Sequence, residues 1–298
     1  MEIGLIYAIL TAMSFGLGQT LTRRGVYYAG ESFSGVLISA YMGIILFPIL
    51  LVFTGEWSQI WLLSWDGLIS PVLAGIVHFV LARLLMYKSI FLIGANRTNA
   101  ITKTHILLTV ILGIIILNEP LTTSVILGSL CIGIGAILAG MEKRITGMGK
   151  TSEISRIQVT GILSALGCGA CWATSAVLIK PMFEVIDSPL LAAFISYLAA
   201  TPILTCFLFR PVYRKQMTTL HFNSFFILVL AGLFLAIGQF FRYATIDYLP
   251  ISIGQPITGT SILFLLLFSI LFNRNIEIFT RKVVVGIVIA VVGVFIIY

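Results

Sequence analysis

Charge is what this sequence has least of. Only 10% of its 298 residues are Asp, Glu, Lys or Arg, against about 25% in an ordinary soluble domain. With 59% hydrophobic residues and a mean hydropathy of +1.10, the chain has too little polar side chain to cover a soluble globule. Histidine is scarce too. His78, His105 and His221 are scattered with no ligand spacing such as H-x-x-x-H, so no metal is expected. The four cysteines, Cys131, Cys168, Cys171 and Cys206, all fall in apolar runs. "CGAC" at 168–171 has CxxC spacing but lacks a second pair or a neighbouring histidine, so it reads as buried small hydrophobes. There is no P-loop or other nucleotide motif, which argues against an ATP-driven pump. No nucleophile with a base, paired carboxylates or metal set is visible, so neither an enzyme nor a cofactor is expected.

What the chain does have is apolar runs, many near the roughly 20 residues needed to cross a bilayer. Read between turn and charge signals, they predict ten helices: 3–22, 33–53, 68–92, 98–117, 122–141, 158–180, 189–209, 223–246, 249–272 and 281–298. This is the pattern of an all-α, multi-pass integral membrane protein. The first run follows Met-Glu without a basic n-region or a small-residue cleavage site, and reads as a span rather than a signal peptide. The net charge of +7 fits basic residues gathered in cytoplasmic loops better than a nucleic-acid partner. The longest polar stretch, "EKRITGMGKTSEISR", lies at the midpoint. It divides the chain into a first unit at 1–141, a cytoplasmic linker at 142–157 and a second unit at 158–298.

The two units resemble each other. "GLIYAILTAMSFG" (4–16) lies on "GILSALGCGACWA" (161–173), "NAITKTHIL" (99–107) on "QPITGTSIL" (255–263), and "VILGSLCIGIG" (125–135) on "VVVGIVIAVVG" (283–293). Matches in the same order at near-constant spacing indicate a tandem duplication of a five-helix unit. Five is odd, so the second copy enters the membrane the other way up. The expectation is ten transmembrane helices as two inverted five-helix repeats, an architecture of secondary transporters with a substrate site between the halves.

This arrangement resembles the EamA-like branch of the drug/metabolite transporter superfamily over essentially the whole chain. The resemblance is carried by the Gly-to-aromatic opening of each half (Gly4 to Phe15-Gly16; Gly161 to Trp172-Ala173) and by "LNEPLT" at 117–122. The glycines of the fifth and tenth helices (Gly128, Gly133, Gly135; Gly286, Gly293) add to it. It implies a carrier of small metabolites and no specific substrate. Glu119 matches the family's acidic residue at this turn, with Asn275 or Glu277 as its counterpart, and reads as capping the fifth helix with Pro120 and Thr122.

Assigning loops alternately places Arg23, Arg24, Lys88, Arg97, Lys143, Arg144, Lys150, Arg156, Arg210, Arg214, Lys215, Arg274, Arg281 and Lys282 on one side. Lys180 is the clear basic residue on the other, with Glu56, Asp66, Glu119, Glu184 and Asp187. The positive-inside rule then puts the 22–32 connection in the cytoplasm and both termini outside the cell membrane. Members of the family usually have both termini inside, so this is a departure.

An ionisable group in mid-span costs at least about 2.5–3.5 kcal/mol and needs a partner, water or a function. Arg83 is the clearest case, with Tyr87 one turn on. Gln239 and Tyr243 are the matching pair in the second half, and Arg242 adds a cation with Asp247 roughly a turn further. On the fourth span Asn99, Thr102, Lys103 and His105 make a polar flank, matched on the ninth by Gln255, Thr258 and Ser261, with Gly259 opposite Lys103. Two readings stand for these residues. Lys103 either snorkels to the interface or faces a cavity, His105 either packs or faces that cavity, and Arg242 is within sequence reach of Asp247. If Arg83, Tyr87, Asn99, Lys103, His105, Gln239, Arg242, Tyr243, Gln255 and Thr258 line a cavity between the halves, its basic character favours a small-molecule substrate bearing carboxylate, phosphate or sulfonate. Tyr41, Trp172 and Tyr197 offer stacking surface. The expected function is alternating-access transport of a small polar metabolite, an organic anion or amino acid. The alternatives are a flippase or exporter of lipid-linked amphiphiles and a drug efflux carrier. The sequence sets no oligomeric state and is compatible with a monomer.

Overall fold

A computed structural model describes residues 2–118, 122–140, 151–273, 275 and 281–297. Among them the chain is all helix, without strands. The elements are α1 (Glu2–Ala29), α2 (Phe33–Thr54), α3 (Trp65–Gly75), α4 (Arg83–Ile93), α5 (Ala95–Thr102), α6 (His105–Leu117) and α7 (Thr123–Gly140). Then come α8 (Thr151–Phe183), α9 (Pro189–Cys206), α10 (Pro211–Thr218), α11 (Phe222–Tyr248), α12 (Ile251–Thr258), α13 (Ser261–Phe272) and α14 (Arg281–Ile297). A π-helical stretch, Ile76–Ala82, joins α3 to α4. Among the described residues seven helical stretches are long and apolar enough to cross a membrane, and three shorter helices are apolar.

Local chemistry sets the ends. Ser64 and Ser188 cap α3 and α9 by accepting the N–H groups of Gly67 and Leu191. Glu31 Oε2 accepts from Phe33 N at 2.6 Å and Ser34 N at 3.2 Å, opening α2; burial nevertheless holds its carboxyl above the usual range. Gly94, at φ 86°, turns α4 into α5 in a conformation that side chains disfavour. Glu119 lies outside the described residues, so its proposed capping role has no geometry here.

Two expected spans are not single helices. The 98–117 span breaks at Lys103–Thr104, and the 249–272 span breaks at Gly259–Thr260. The cause is the same in both. In "ITKT" the hydroxyls of Thr102 and Thr104 bond the carbonyls of Asn99 and Ile101, and in "ITGT" those of Thr258 and Thr260 bond Gln255 and Ile257. The backbone tightens with them, as Thr104 N reaches Ile101 O and Thr260 N reaches Ile257 O.

Small residues let the helices close. α1 packs along α11, where a Cβ added at Gly18 or Gly25 would strike Leu235 or Leu228. α7 packs along α14, where a Cβ on Gly135 would stand 2.3 Å from the Gly286 carbonyl. The outer faces are apolar: Ile3, Ile6, Ile9 and Met13 are exposed along one side of α1. The main core gathers α2, α4, α8, α9 and α11 around Phe47, Tyr87, Tyr197 and Tyr243.

Candidate functional site

The tightened turns and the π-helical stretch meet at one cavity of about 40 Å³, room for a few waters at roughly 10–15 Å³ each. α1 supplies Phe15 and Gln19, and the π-helical stretch and α4 supply His78, Arg83 and Met86. The first break supplies Lys103 and His105, α8 supplies Trp172, and α11 supplies Leu235 and Arg242. Gln255, Thr258 and Ser261 come from the second break. Phe15 and Trp172 are equivalent positions of the two sequence repeats, so the paired opening motifs both deliver an aromatic ring here. Both rings are half-buried; the other walls are buried.

Three cations share this space, and among the described residues no carboxylate lines it. Arg83 is 4% exposed. Its Nη1 donates to Ser39 Oγ at 2.7 Å and its Nη2 to Tyr197 OH at 2.5 Å, while its guanidinium lies 4.6 Å from the centre of the Phe79 ring. Lys103 crosses from the first break to the second, donating from Nζ to Ser261 Oγ at 2.7 Å. It is therefore buried and does not snorkel. Arg242 is held loosely, by Trp172 O and Ser175 Oγ at 3.5 Å each, and its Nη1 has no partner among the described residues. It is not paired with Asp247, whose charged neighbours are Asp187 and Lys180.

The histidines flank Trp172. His78 stacks on it with ring centres 6.0 Å apart, and His105 meets it edge-on at 5.6 Å. His105 thus packs and lines the cavity at once. Of the ten residues singled out from the sequence, the structure brings Arg83, Lys103, His105, Arg242, Gln255 and Thr258 to the cavity. The other four sit elsewhere. Tyr87 reaches toward Thr22 at 3.4 Å, Asn99 bonds Ala95 O in its own helix, Tyr243 meets Ser196 Oγ at 3.1 Å, and Gln239 is buried outside the lining. One helical turn is about 5.4 Å along the axis, so Tyr87, Asn99 and Gln239 lie too far along from Arg83, Lys103 and Arg242 to reach so small a cavity, and Tyr243, the residue after Arg242, points to another side of its helix.

Gln19, Phe15, His78, Met86 and Leu235 escaped the sequence reading of the site. A glutamine in the middle of "FGLGQT" is a usable signal, whereas Met86 and Leu235 look like any core residue. Among the described residues no group of three His, Cys, Asp or Glu side chains is placed to hold a metal.

The model of the EamA-like transporter family matches residues 2–141 and again residues 159–298. No curated protein matches the chain. A solved crystal structure superposes on 97% of this chain and 94% of its own with a TM-score of 0.71 at 16% identity, a likeness of fold.

Proposed function

The chain belongs to the EamA-like transporter family, and on that premise we propose that it carries a small organic anion across the cell membrane by alternating access. It is a multi-pass membrane protein, and its family is one of non-enzymatic transporters within the drug/metabolite superfamily. The observation that carries the substrate reading is the trio Arg83, Lys103 and Arg242 around one cavity with no carboxylate among the described walls. A buried cation without a counter-charge costs several kcal/mol, and an anionic substrate relieves that cost. The side chains come from both halves, as a site between repeats requires.

In this reading the chain has ten transmembrane helices as two inverted five-helix repeats, 1–141 and 158–298, joined by the 142–157 linker. Matched packing supports it: α1 lies on α11, α3 and α4 lie on α8, α2 lies on α9, and α7 lies on α14. The cavity is small and its polar walls are buried, which suits an occluded stage of a transport cycle. A lipid flippase would call instead for a cleft open to the bilayer.

The test is a thermal-shift screen on purified protein in detergent, comparing organic anions with zwitterionic amino acids and cationic drugs. An anion at about 100 times its Kd adds about 2.7 kcal/mol of stability, and Arg83→Gln or Lys103→Gln reduces that gain. Stabilisation confined to cations or lipids overturns the reading.

A further inference from the structure

Around the cavity, four buried polar atoms lack a partner among the described residues: Gln19 Oε1, Trp172 Nε1, Arg242 Nη1 and Gln255 Nε2. An indole N–H and a guanidinium N–H are donors only, whatever the orientation of the amides. The histidines supply the complement. His105 Nδ1 lies 2.6 Å from the Thr102 carbonyl, an acceptor, so Nδ1 carries the proton, and in the neutral ring Nε2 is left to accept. Ser175 Oγ donates to Trp172 O at 2.9 Å and therefore accepts from His78 Nδ1 at 3.0 Å, which leaves His78 Nε2 as an acceptor too. Both imidazoles lie against the indole that carries the free donor.

We infer that the cavity takes a small hydroxy-carboxylate. Its carboxylate accepts from Arg242 Nη1, Trp172 Nε1 and Gln255 Nε2, and its hydroxyl donates to an imidazole Nε2. The inference rests on the anion reading above and selects within it. An amino acid would bring an ammonium beside three cations with no carboxylate among the described walls to meet it. A hydroxyl reaches a neutral imidazole without that repulsion. Arg242 is the anchor rather than Arg83, because Arg83 is already committed to Ser39, Tyr197 and the Phe79 ring while both bonds of Arg242 are long. Trp172 acts as a donor and not only as a stacking surface.

The experiment titrates the purified full-length protein with lactate, propionate and alanine, and with malate, succinate and aspartate, reading the melting midpoint. The hydroxy acids are expected to act at concentrations about tenfold below the deoxy acids, and the amino acids to act weakest, because a polar group built to be bonded is left unpaired by the analogue. Trp172→Phe keeps a ring and removes the N–H; it is expected to weaken the hydroxy acids about tenfold with the unliganded midpoint little changed. Arg242→Gln is expected to weaken them further. If no acid stabilises the wild-type protein, the anion reading falls and this inference with it. If acids stabilise it but the hydroxy, deoxy and amino forms act alike, or if Trp172→Phe leaves the hydroxy acids unaffected, this inference alone falls. Should Arg242→Gln fail to fold, the ligand series on the wild type and Trp172→Phe decides by itself.

Discussion

Arg83 shows how a charge is kept inside an apolar bundle with no counter-ion among the described residues. Its hydrogen-bond partners are 44 and 114 residues away in sequence, Ser39 and Tyr197, and two rings face its guanidinium. Hydrogen bonds from charged groups contribute roughly 1.5–3 kcal/mol, against about 0.5–1.5 for neutral pairs. The same substitution at two tyrosines therefore separates the cases. Tyr197→Phe removes an acceptor from a buried cation and is expected to cost roughly 1.5–3 kcal/mol. Tyr41→Phe removes a half-buried neutral pair with Thr205 at 3.0 Å and is expected to cost about 1 kcal/mol or less. Melting midpoints in detergent check this, and equal losses would refute it. That Arg83 needed a partner was legible from its place in a span. Which groups supply one was not, because Ser39 and Tyr197 look like ordinary residues of their own helices and only the packing of α2 and α9 brings them together.

The two broken helices are where sequence and structure part most at the level of elements. The likeness of "ITKT" to "ITGT" is plain in the sequence, yet the breaks are not, because hydroxyls bonding back to their own turn leave the apolar pattern unchanged. The π-helical stretch at Ile76–Ala82 is hidden for a similar reason: one extra residue in a turn alters the phase of the face without altering composition. Both devices face the cavity, so the less regular backbone lies where the polar side chains are. The residue between the paired threonines differs, Lys103 in one half and Gly259 in the other. A Cβ on Gly259 would stand 2.6 Å from the Pro256 carbonyl and 2.7 Å from Ile106 Cδ1. Gly259→Ala is therefore expected to push α12 off α6 at about 1–3 kcal/mol and to weaken anion binding as the walls shift. Gly167→Ala meets only the end of the Leu85 side chain, at 3.1 Å, and is expected to cost far less. A melting curve and a binding titration on the pair measure both effects, and indifference at Gly259 would show that the second break tolerates a side chain.

Across the whole molecule the contacts sort the helix ends into two groups. Gly4 meets Leu249, Ser188 bonds Glu56, and Lys180 bonds Ile246 O, so these lie at one end. Gly25 meets Leu228, Arg24 bonds Phe272 O, Phe33 stacks near Tyr213, and Gly161 meets Ile93, so these lie at the other. The second end carries Arg23, Arg24, Lys88, Arg156, Arg210, Arg214 and Lys215, and the first carries Glu56, Glu184 and Asp187 with Lys180. Charge asymmetry of this kind governs insertion, with Lys and Arg retained in the cytoplasm. The exposed Trp61 and Trp65 at the first end suit a membrane–water interface, where indole rings concentrate. The expected topology therefore puts Glu2 outside and α10 inside. In a cysteine-free background, a membrane-impermeant maleimide applied to intact cells is expected to label Glu2→Cys and to spare Arg214→Cys, which reacts only after the cells are opened. The reverse pattern would mean that the basic end faces outward, against the insertion rule.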